Sequence, residues 1–210
     1  MQASNLSGLS ARQIQVWRGD RHVLRGVSMD VAAGQVVHIS GSNGAGKTTL
    51  LRVLAGLLTP ELGSVSWQGR PIASNFAAYS AVLCYLAHSD ALKADFTARE
   101  NLAHEVGLRR TVTAAEINDV LARVGLASCR DLFARVLSAG QRRRLGMARV
   151  MLTAATLWIL DEPFTNLDHV GVLLLSDVIA GHVDGGGAVI MAAHQPPAIP
   201  RHAAICVELA

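Results

Sequence analysis

The sequence predicts an α/β fold, in which a mainly parallel sheet carries an N-terminal antiparallel β layer and a helical insertion. Three observations support this prediction. A glycine-rich motif at residues 41–48 lies between an apolar segment and a segment with helical spacing. Segments with alternating apolar residues lie on either side of that motif, and strands alternate with helices in the last third of the chain. Such alternation is typical of a parallel sheet, in which helices connect successive strands.

Two short segments of the first third have the period-two pattern of a strand. Every second residue is apolar in residues 27–31, and residues 64–69 repeat the pattern with Val65 and Trp67. Because successive side chains point to opposite faces of a strand, each segment has one apolar face. We expect these strands to form an antiparallel layer beside the core.

The motif at residues 41–48 matches G-x-x-x-x-G-K-[ST], which is typical of a loop that binds nucleotide phosphates. The apolar residues 36–39 before it predict a buried strand, and residues 49–56 after it predict a helix, as the motif requires. Backbone N–H groups can point at a phosphate, Lys47 can reach the terminal phosphates, and the Thr48 hydroxyl can hold Mg²⁺. The sequence therefore predicts a site for ATP or GTP. Its residues are Gly41, Ser42, Asn43, Gly44, Ala45, Gly46, Lys47, Thr48 and Thr49.

Helical patterns dominate from Thr97 to Leu152. Thr97 and Thr113 are each followed three residues later by Glu, the pattern of a capping box at the start of a helix. We expect a helical subdomain at approximately residues 89–150, inserted between the two halves of the core. The chain as a whole, residues 1–210, is expected to form a single domain.

The last third of the chain returns to strands. Residues 155–160, 188–193 and 205–209 predict strands, and residues 170–182 predict a helix between the first two. We expect these strands to join the strand before the glycine-rich motif in one mainly parallel sheet.

Two adjacent acids, Asp161 and Glu162, follow the apolar strand that ends at residue 160. Open α/β sheets place their ligand chemistry at the carboxyl ends of strands. Asp161 would hold Mg²⁺ directly or through water, and Glu162 would orient and polarise the water that attacks the γ-phosphate. Such a pair alone is often only a surface or helix N-terminal feature. Together with the phosphate loop it predicts nucleotide hydrolysis.

Composition and charge argue against some classes of function. The chain has 19 Lys and Arg against 16 Asp and Glu, a net charge of +3 without a long basic block, so nucleic acid is not expected as a partner. Half of the 210 residues are hydrophobic, yet no apolar run approaches the roughly 18 residues of a membrane span. A peripheral protein with an apolar docking face and a soluble protein with an ordinary α/β core both agree with this composition.

Signals of secretion are missing from the N-terminal sequence, so we expect the phosphate loop to remain in the cytoplasm. Cys84, Cys129 and Cys206 are scattered and lack C-x-x-C spacing. They are interpreted as reduced structural thiols rather than as a metal site or a disulfide.

The residues Leu137, Ser138, Ala139, Gly140 and Gln141 precede a predicted helix. Here the sequence resembles the ATP-binding cassette (ABC) of membrane transporters, whose Leu-Ser-Gly-Gly-Gln signature it matches except at Ala139. The resemblance implies a P-loop NTPase of the ABC ATPase type, with ATP and Mg²⁺ as cofactors. It also implies a head-to-tail dimer, in which Ser138 of one subunit faces the ATP held by the other. Alanine in place of the first signature glycine should weaken the function of the signature only slightly, provided that the φ of Ala139 is not positive.

Further motifs of the same family follow in order. Asn166-Leu-Asp168 resembles the loop that makes contact across the dimer, and His194 matches the histidine that contacts the γ-phosphate. His88 stands where the family usually has a glutamine that senses Mg²⁺ and the attacking water. The resemblance therefore implies that His88 and His194 join Glu162 as catalytic residues, and that His88 joins Thr48 and Asp161 near the metal. Imidazole can bridge to a metal-bound water, although it titrates near neutral pH.

The aromatic residue that normally stacks on adenine has no plain counterpart. Spacing within the family pattern gives Arg18 at this position, with Trp17 beside it. Either the indole or the guanidinium would stack on the base. It is equally open that Trp17 is a strand residue that packs on the core.

Three arginines, Arg142 to Arg144, follow the signature. We interpret them as a solvated helix face rather than as direct ligands of ATP.

The family resemblance also implies a docking surface for a membrane subunit, between His88 and the helical insertion. Apolar residues at 91–92 and Phe96 are candidates for that contact, although each could equally belong to the core.

More narrowly, the sequence resembles the ATP-binding subunits of cytochrome c maturation systems, often called haem exporters. The histidine at 88, the Leu-Ser-Ala-Gly-Gln signature and the segments 155–165 and 194–196 carry this resemblance. It implies a peripheral ATPase on the cytoplasmic face of the bacterial inner membrane, docked on an integral membrane permease subunit and associated with other cytochrome c maturation membrane proteins. The driven step would be haem export or haem-chaperone release, which makes haem available on its periplasmic chaperone.

Two other functions are alternatives for a sequence with these motifs. The ATPase subunit of another small-molecule or lipid exporter would have the same motor residues. A soluble cassette ATPase that acts on ribosomes or DNA usually has two cassettes, a long coiled-coil insertion or a basic face, and none of these is visible in the sequence.

Overall fold

The computed structural model describes residues 8–89, 91–193 and 198–209. Its strands are β1 (Gly8–Arg18), β2 (Arg21–Ala32), β3 (Val36–Ser40), β4 (Leu62–Trp67), β5 (Arg70–Pro71), β6 (Leu83–Leu86), β7 (Leu157–Asp161), β8 (Ala188–Ala192) and β9 (Ile205–Glu208). Its helices are α1 (Lys47–Leu54), α2 (Phe76–Val82), α3 (Ala98–Gly107), α4 (Ala114–Arg123), α5 (Ala139–Leu152) and α6 (His169–Asp184). Short 3₁₀ turns lie at Ile72–Ser74, Ala127–Cys129 and Ala134–Val136.

The predicted antiparallel layer is confirmed as a sheet with the strand order β2-β1-β4-β5. Met29 and Val31 of β2 are buried, and the intervening Asp30 is exposed, as the period-two pattern predicts. The apolar face of this sheet joins the same buried cluster as α1 and the parallel sheet. The antiparallel layer therefore covers one side of the segment that contains the glycine-rich motif.

The predicted parallel sheet is also confirmed, with the strand order β6-β7-β8-β3-β9 and only parallel pairs between neighbours. Strands β3 and β7 both pair with β8, so one strand separates them. Because all five strands run in one direction, the segments that follow β3, β6 and β7 lie at the same edge of the sheet. This arrangement positions the glycine-rich motif, His88 and the acidic pair near one another.

Helices α3, α4 and α5 form a second layer with its own apolar cluster, which includes Leu102, Leu121 and Leu145. The capping boxes predicted at Thr97 and Thr113 are present, with both reciprocal hydrogen bonds in each. Helix α5 also contributes Met147 and Val150 to the cluster beside the parallel sheet. One helix therefore packs on both the helical layer and the sheet. No helix in the described ranges is long and apolar enough to cross a membrane.

A candidate nucleotide-binding and hydrolysis site

The glycine-rich loop links β3 to α1. Gly46 is the N-cap of α1 and has a φ of 102°, in the left-handed region that favours glycine. A Cβ at Gly46 would lie 2.9 Å from side-chain atoms of both Val23 and Leu24, so the loop is packed closely against β2. No side chain caps the N-terminus of α1. The first N–H groups of α1 therefore lack a side-chain acceptor at the cap, an arrangement that suits an anion.

Lys47 is the first residue of α1 and is only 8% exposed. Its Nζ donates hydrogen bonds to the carbonyl oxygens of Gly41, at 2.7 Å, and Ser42, at 3.1 Å. The chain thus folds back over its own lysine, and the ammonium group is fixed within the loop.

The loop forms one wall of an open cavity of about 590 Å³, within the usual range for small-molecule sites. The cavity brings together residues from β1, β2, the loop, α1 and the segments after β6 and β7. They are Arg18, Arg21, Val23, Asn43, Gly44, Gly46, Lys47, Thr48, Thr49, His88 and Glu162.

The side chain of Thr48, which lines this cavity, contacts the side chain of Asp161. Thr48 Oγ1 donates to Asp161 Oδ1 at 3.2 Å. Asp161 is 1% exposed, and its Oδ2 has no hydrogen-bond partner within the described parts of the chain. A buried carboxylate oxygen without a partner is costly. The Thr48 hydroxyl and this carboxylate oxygen are both oxygen ligands of the kind that a hard divalent cation prefers. The residues predicted to hold Mg²⁺ therefore fit that ion.

Glu162 follows Asp161 in a tight turn and lines the cavity. Its φ is 53°, a left-handed conformation that is uncommon for a residue with a side chain. The backbone N–H of Glu162 donates to the carbonyl of Ala192 at 2.9 Å, which ties the turn to the end of β8. The backbone therefore holds the Glu162 side chain toward the cavity at some conformational cost.

His88 lies in a bend just after β6 and is exposed. It lines the same cavity as Lys47, Thr48 and Glu162. The structure thus brings His88 close to the segments with which its predicted role requires it to act. His194, the other histidine predicted to be catalytic, lies outside the described residues.

The two candidates for the adenine contact, Trp17 and Arg18, have different surroundings. Arg18 lines the cavity, whereas the indole of Trp17 stacks on the imidazole of His22, with ring centroids 3.9 Å apart. This geometry favours the guanidinium of Arg18. Sequence analysis missed Arg21, which also lines the cavity and donates from Nη2 to the carbonyl of Gly44 at 2.8 Å. No local pattern marks Arg21, because only the fold brings its strand to the loop.

The signature residues begin helix α5 on another part of the surface. Ser138 is the N-cap of α5, and it exchanges hydrogen bonds of 2.8 and 3.1 Å with Gln141. None of the residues Leu137 to Gln141 lines the cavity of its own chain. Ala139 is the first residue of α5 and has a negative φ, so alanine meets no backbone strain there. Alanine can therefore replace the signature glycine at this position, because the backbone does not need a positive φ there.

The loop at residues 166–168 packs against the start of α5. A Cβ at Gly140 would lie 2.7 Å from the carbonyl oxygen of Asn166, so this close approach requires a glycine. Asp168 is the N-cap of α6, and its Oδ1 accepts a hydrogen bond of 2.8 Å from the N–H of Gly171. The two segments predicted to face a second subunit are therefore neighbours in one chain.

The interpretation of Arg142 to Arg144 as a solvated helix face is wrong. Arg143 is 2% exposed, and the other two arginines are half-buried. Arg143 donates to the carbonyls of Ala87, Pro163 and Asp161. The charge of arginine suggested exposure, whereas helix α5 directs the Arg143 side chain beneath the turn that contains Asp161 and Glu162.

Two of the three predicted apolar docking residues are half-buried. Leu92 packs against the apolar cluster of the helical layer. Phe96 is half-buried, with the edge of its ring on His104. Ala91 is exposed. Of these three residues, Leu92 thus fits the alternative interpretation as part of the core.

Comparisons with known proteins agree with this site. A family model described as ABC transporter matches residues 24–165. The chain is 44% identical to the cytochrome c biogenesis ATP-binding export protein CcmA of Methylococcus capsulatus, over 89% of this chain and 90% of that protein. It is 46% identical to the CcmA protein of Shigella flexneri, over 90% of this chain and 89% of that protein.

A solved structure shares the fold. It is described as the ATP binding subunit of an ABC transporter, and it superposes with a TM-score of 0.85 over 96% of this chain and 85% of that one. At 24% identity, this likeness concerns the fold alone.

Proposed function

Because this chain belongs to the ABC transporter family and, within it, to the cytochrome c biogenesis ATP-binding export proteins, we propose that it hydrolyses ATP to drive a step of c-type cytochrome biogenesis. The observation that carries the proposal is the identity of 44–46% over about nine-tenths of both chains. The cavity supports it, because the phosphate loop, the acidic turn and His88 all line or adjoin one space.

The chemistry follows from the side chains around the cavity. The N–H groups of the loop and the ammonium of Lys47 would offset the charge of the phosphates. Thr48 and Asp161 would hold Mg²⁺, which, when bound, supplies positive charge next to the phosphates. Glu162 would accept a hydrogen bond from the attacking water and take its proton, while His88 and His194 orient the water and the γ-phosphate.

The signature helix is assigned to a second site. Ser138 is exposed and lies outside the cavity of its own chain, yet it begins a helix whose N-terminus suits an anion. We assign Leu137, Ser138, Ala139, Gly140 and Gln141 to the ATP held by another copy, in a head-to-tail dimer. Asp168 would lie at the same interface, because its loop packs on Gly140.

The complex would lie at the bacterial inner membrane. The chain would form a single nucleotide-binding domain with a helical subdomain at about residues 89–150, docked from the cytoplasmic side on an integral membrane permease subunit. Other cytochrome c maturation proteins would belong to the same assembly. The driven step would be haem export or release of the haem chaperone, and the protein would be a haem-transporting ATPase.

Deletion of the gene in its host tests the proposal. Covalent haem on c-type cytochromes should be lost in the deletion strain and restored by the wild-type gene. The Glu162→Gln variant should not restore it, whereas Glu208→Gln, the same change at an exposed strand end, should. Normal haem attachment in the deletion strain would contradict the proposal and favour the ATPase of another small-molecule or lipid exporter.

A further inference from the structure

The guanidinium of Arg143 is buried beneath the candidate site, although no sequence motif predicts a role for it. The residue is 2% exposed and lies in the second turn of α5. An arginine carries five N–H donors and remains charged, so its burial is costly unless those donors are bonded. Arg143 meets this need in part with main-chain carbonyls of two different loops.

Two of these carbonyls flank Glu162. Nη2 of Arg143 donates to the carbonyl of Asp161, and Nε donates to the carbonyl of Pro163 at 3.3 Å. One planar group therefore holds the peptide before Glu162 and the peptide after Pro163. Because Glu162 has a φ of 53°, this turn is a conformation that needs support from its surroundings.

The third carbonyl belongs to the residue before His88. Nη1 of Arg143 donates to the carbonyl of Ala87 at 2.9 Å. A rigid guanidinium thus spans the bend that carries His88 and the turn that carries Glu162. A lysine has no such planar fork and could not hold both segments in the same geometry.

We propose that Arg143 is a positioning residue for hydrolysis, which fixes the backbones at Glu162 and His88 relative to each other so that both side chains reach one water. The inference rests on the proposed ATPase function and extends it to a residue that acts through the backbones of its neighbours. Its effect is expected on the hydrolytic step, because misplacement of a catalytic group by about 1 Å is costly.

Arg144 provides a matched control on the same helix. It also donates to main-chain carbonyls, those of Val124 and Gly125, but these belong to the helical layer and not to the cavity. In the complex purified with its membrane subunits, Arg143→Gln should lower kcat at least tenfold and change KM for ATP less than threefold. Arg144→Gln should change both less than threefold. Arg143→Lys should rescue only part of kcat, because it keeps the charge without the fork.

A double variant separates positioning from a general loss of stability. In the Glu162→Gln background, Arg143→Gln should lower the residual kcat by a clearly smaller factor than in the wild-type background, because one of the two side chains that it positions has already lost its function. An equal factor in both backgrounds would overturn the inference. So would equal values of kcat for Arg143→Gln and wild type while wild type hydrolyses ATP, a result that leaves the proposed function intact.

Amide hydrogen exchange tests the same inference without any turnover. Arg143→Gln should speed exchange at least tenfold in peptides that cover residues 83–89 and 158–166, and Arg144→Gln should not. If both variants speed exchange equally in these peptides, or neither does, Arg143 does not position them. If wild type shows no ATPase activity, the function fails, and the exchange result still decides whether Arg143 holds the two segments.

Discussion

Thr48 Oγ1 lies 3.2 Å from Asp161 Oδ1, although 113 positions separate the two residues in the sequence. The contact is possible because β3 and β7 both pair with β8 and run in the same direction. The helix that follows β3 and the acidic turn that follows β7 therefore meet at one edge of the sheet. The glycine-rich motif and the acidic pair, which are far apart in the sequence, are therefore neighbours in the fold.

Replacement of the loop lysine should weaken nucleotide binding. Lys47→Ala removes the ammonium that the loop holds at 2.7 Å from the Gly41 carbonyl, and with it a charge that faces the phosphates. We expect the Kd for ATP to rise at least tenfold, measured by calorimetry with Mg²⁺. Lys93→Ala, at an exposed lysine outside the cavity, should leave the Kd within about twofold. Equal affinity of wild type and Lys47→Ala would count against the phosphate site.

Replacement of the candidate general base should separate binding from hydrolysis. Glu162→Gln keeps the size of the side chain and removes the carboxylate, so ATP should bind within about threefold of wild type while kcat falls about 10²-fold or more. The unhydrolysed nucleotide should then hold two copies together, and a dimer should appear in light scattering only with ATP and Mg²⁺. Unchanged turnover, or a strictly monomeric variant at saturating ATP, would refute these roles.

His88→Gln should leave much of the turnover intact. The amide of glutamine keeps a hydrogen-bond donor and an acceptor at this position, so it can still contact a water in the cavity. We expect His88→Gln to retain kcat within about tenfold of wild type, and His88→Ala, which has neither group, to lose more. His104→Gln, at an exposed histidine on α3, should keep the wild-type kcat. Equal kcat for His88→Ala and wild type would indicate that the imidazole takes no part in hydrolysis.

Sequence patterns predicted the core of the fold because that core depends on local periodicity. The strand expected at 188–193 is observed at Ala188–Ala192, and the helix expected at 170–182 is observed at His169–Asp184. Strand β6 was not predicted, because its four residues directly follow helix α2 without a turn signal between them. This segment is a strand because it pairs with β7, which lies some 70 residues further along the chain.

Residues that act through distant partners were the ones that sequence analysis missed. Arg143 reaches the carbonyl of Ala87, 56 positions away, and Arg21 reaches that of Gly44, 23 positions away. Neither contact leaves a periodic pattern, because hydrogen bonds to main-chain carbonyls place no demand on the residue type of the acceptor. The motif residues were found, since their chemistry depends on spacing along a single loop or helix N-terminus.

Binding of the adenine base should depend on Arg18 more than on Trp17. Arg18 lines the cavity, and the indole of Trp17 is stacked on His22. We expect Arg18→Ala to raise the Kd for ATP about three- to tenfold through lost stacking on the base, with little change for Trp17→Ala beyond its effect on stability. Binding of inorganic triphosphate, which lacks a base, should be the same in Arg18→Ala and wild type to within about twofold. A larger effect of Trp17→Ala on ATP affinity would reverse the assignment.

The imidazole of His182 should make stability depend on pH below 6.5. Its ring stacks on Trp158, with centroids 3.7 Å apart, and burial lowers its pKa from 6.5 to about 4. The folded state therefore disfavours the protonated form. Its contribution to stability is complete above pH 6.5 and is lost as the pH falls toward 4.

At pH 5 this histidine should cost the folded state up to about 2 kcal/mol relative to pH 8, or a fall in Tm of about 4–8 °C. His182→Phe keeps a ring on Trp158 and cannot titrate, so its Tm should fall by less over this range in a calorimetric scan. His104→Phe, at an exposed histidine, should retain the wild-type slope. If His182→Phe also retains it, another group governs the acid sensitivity of the fold.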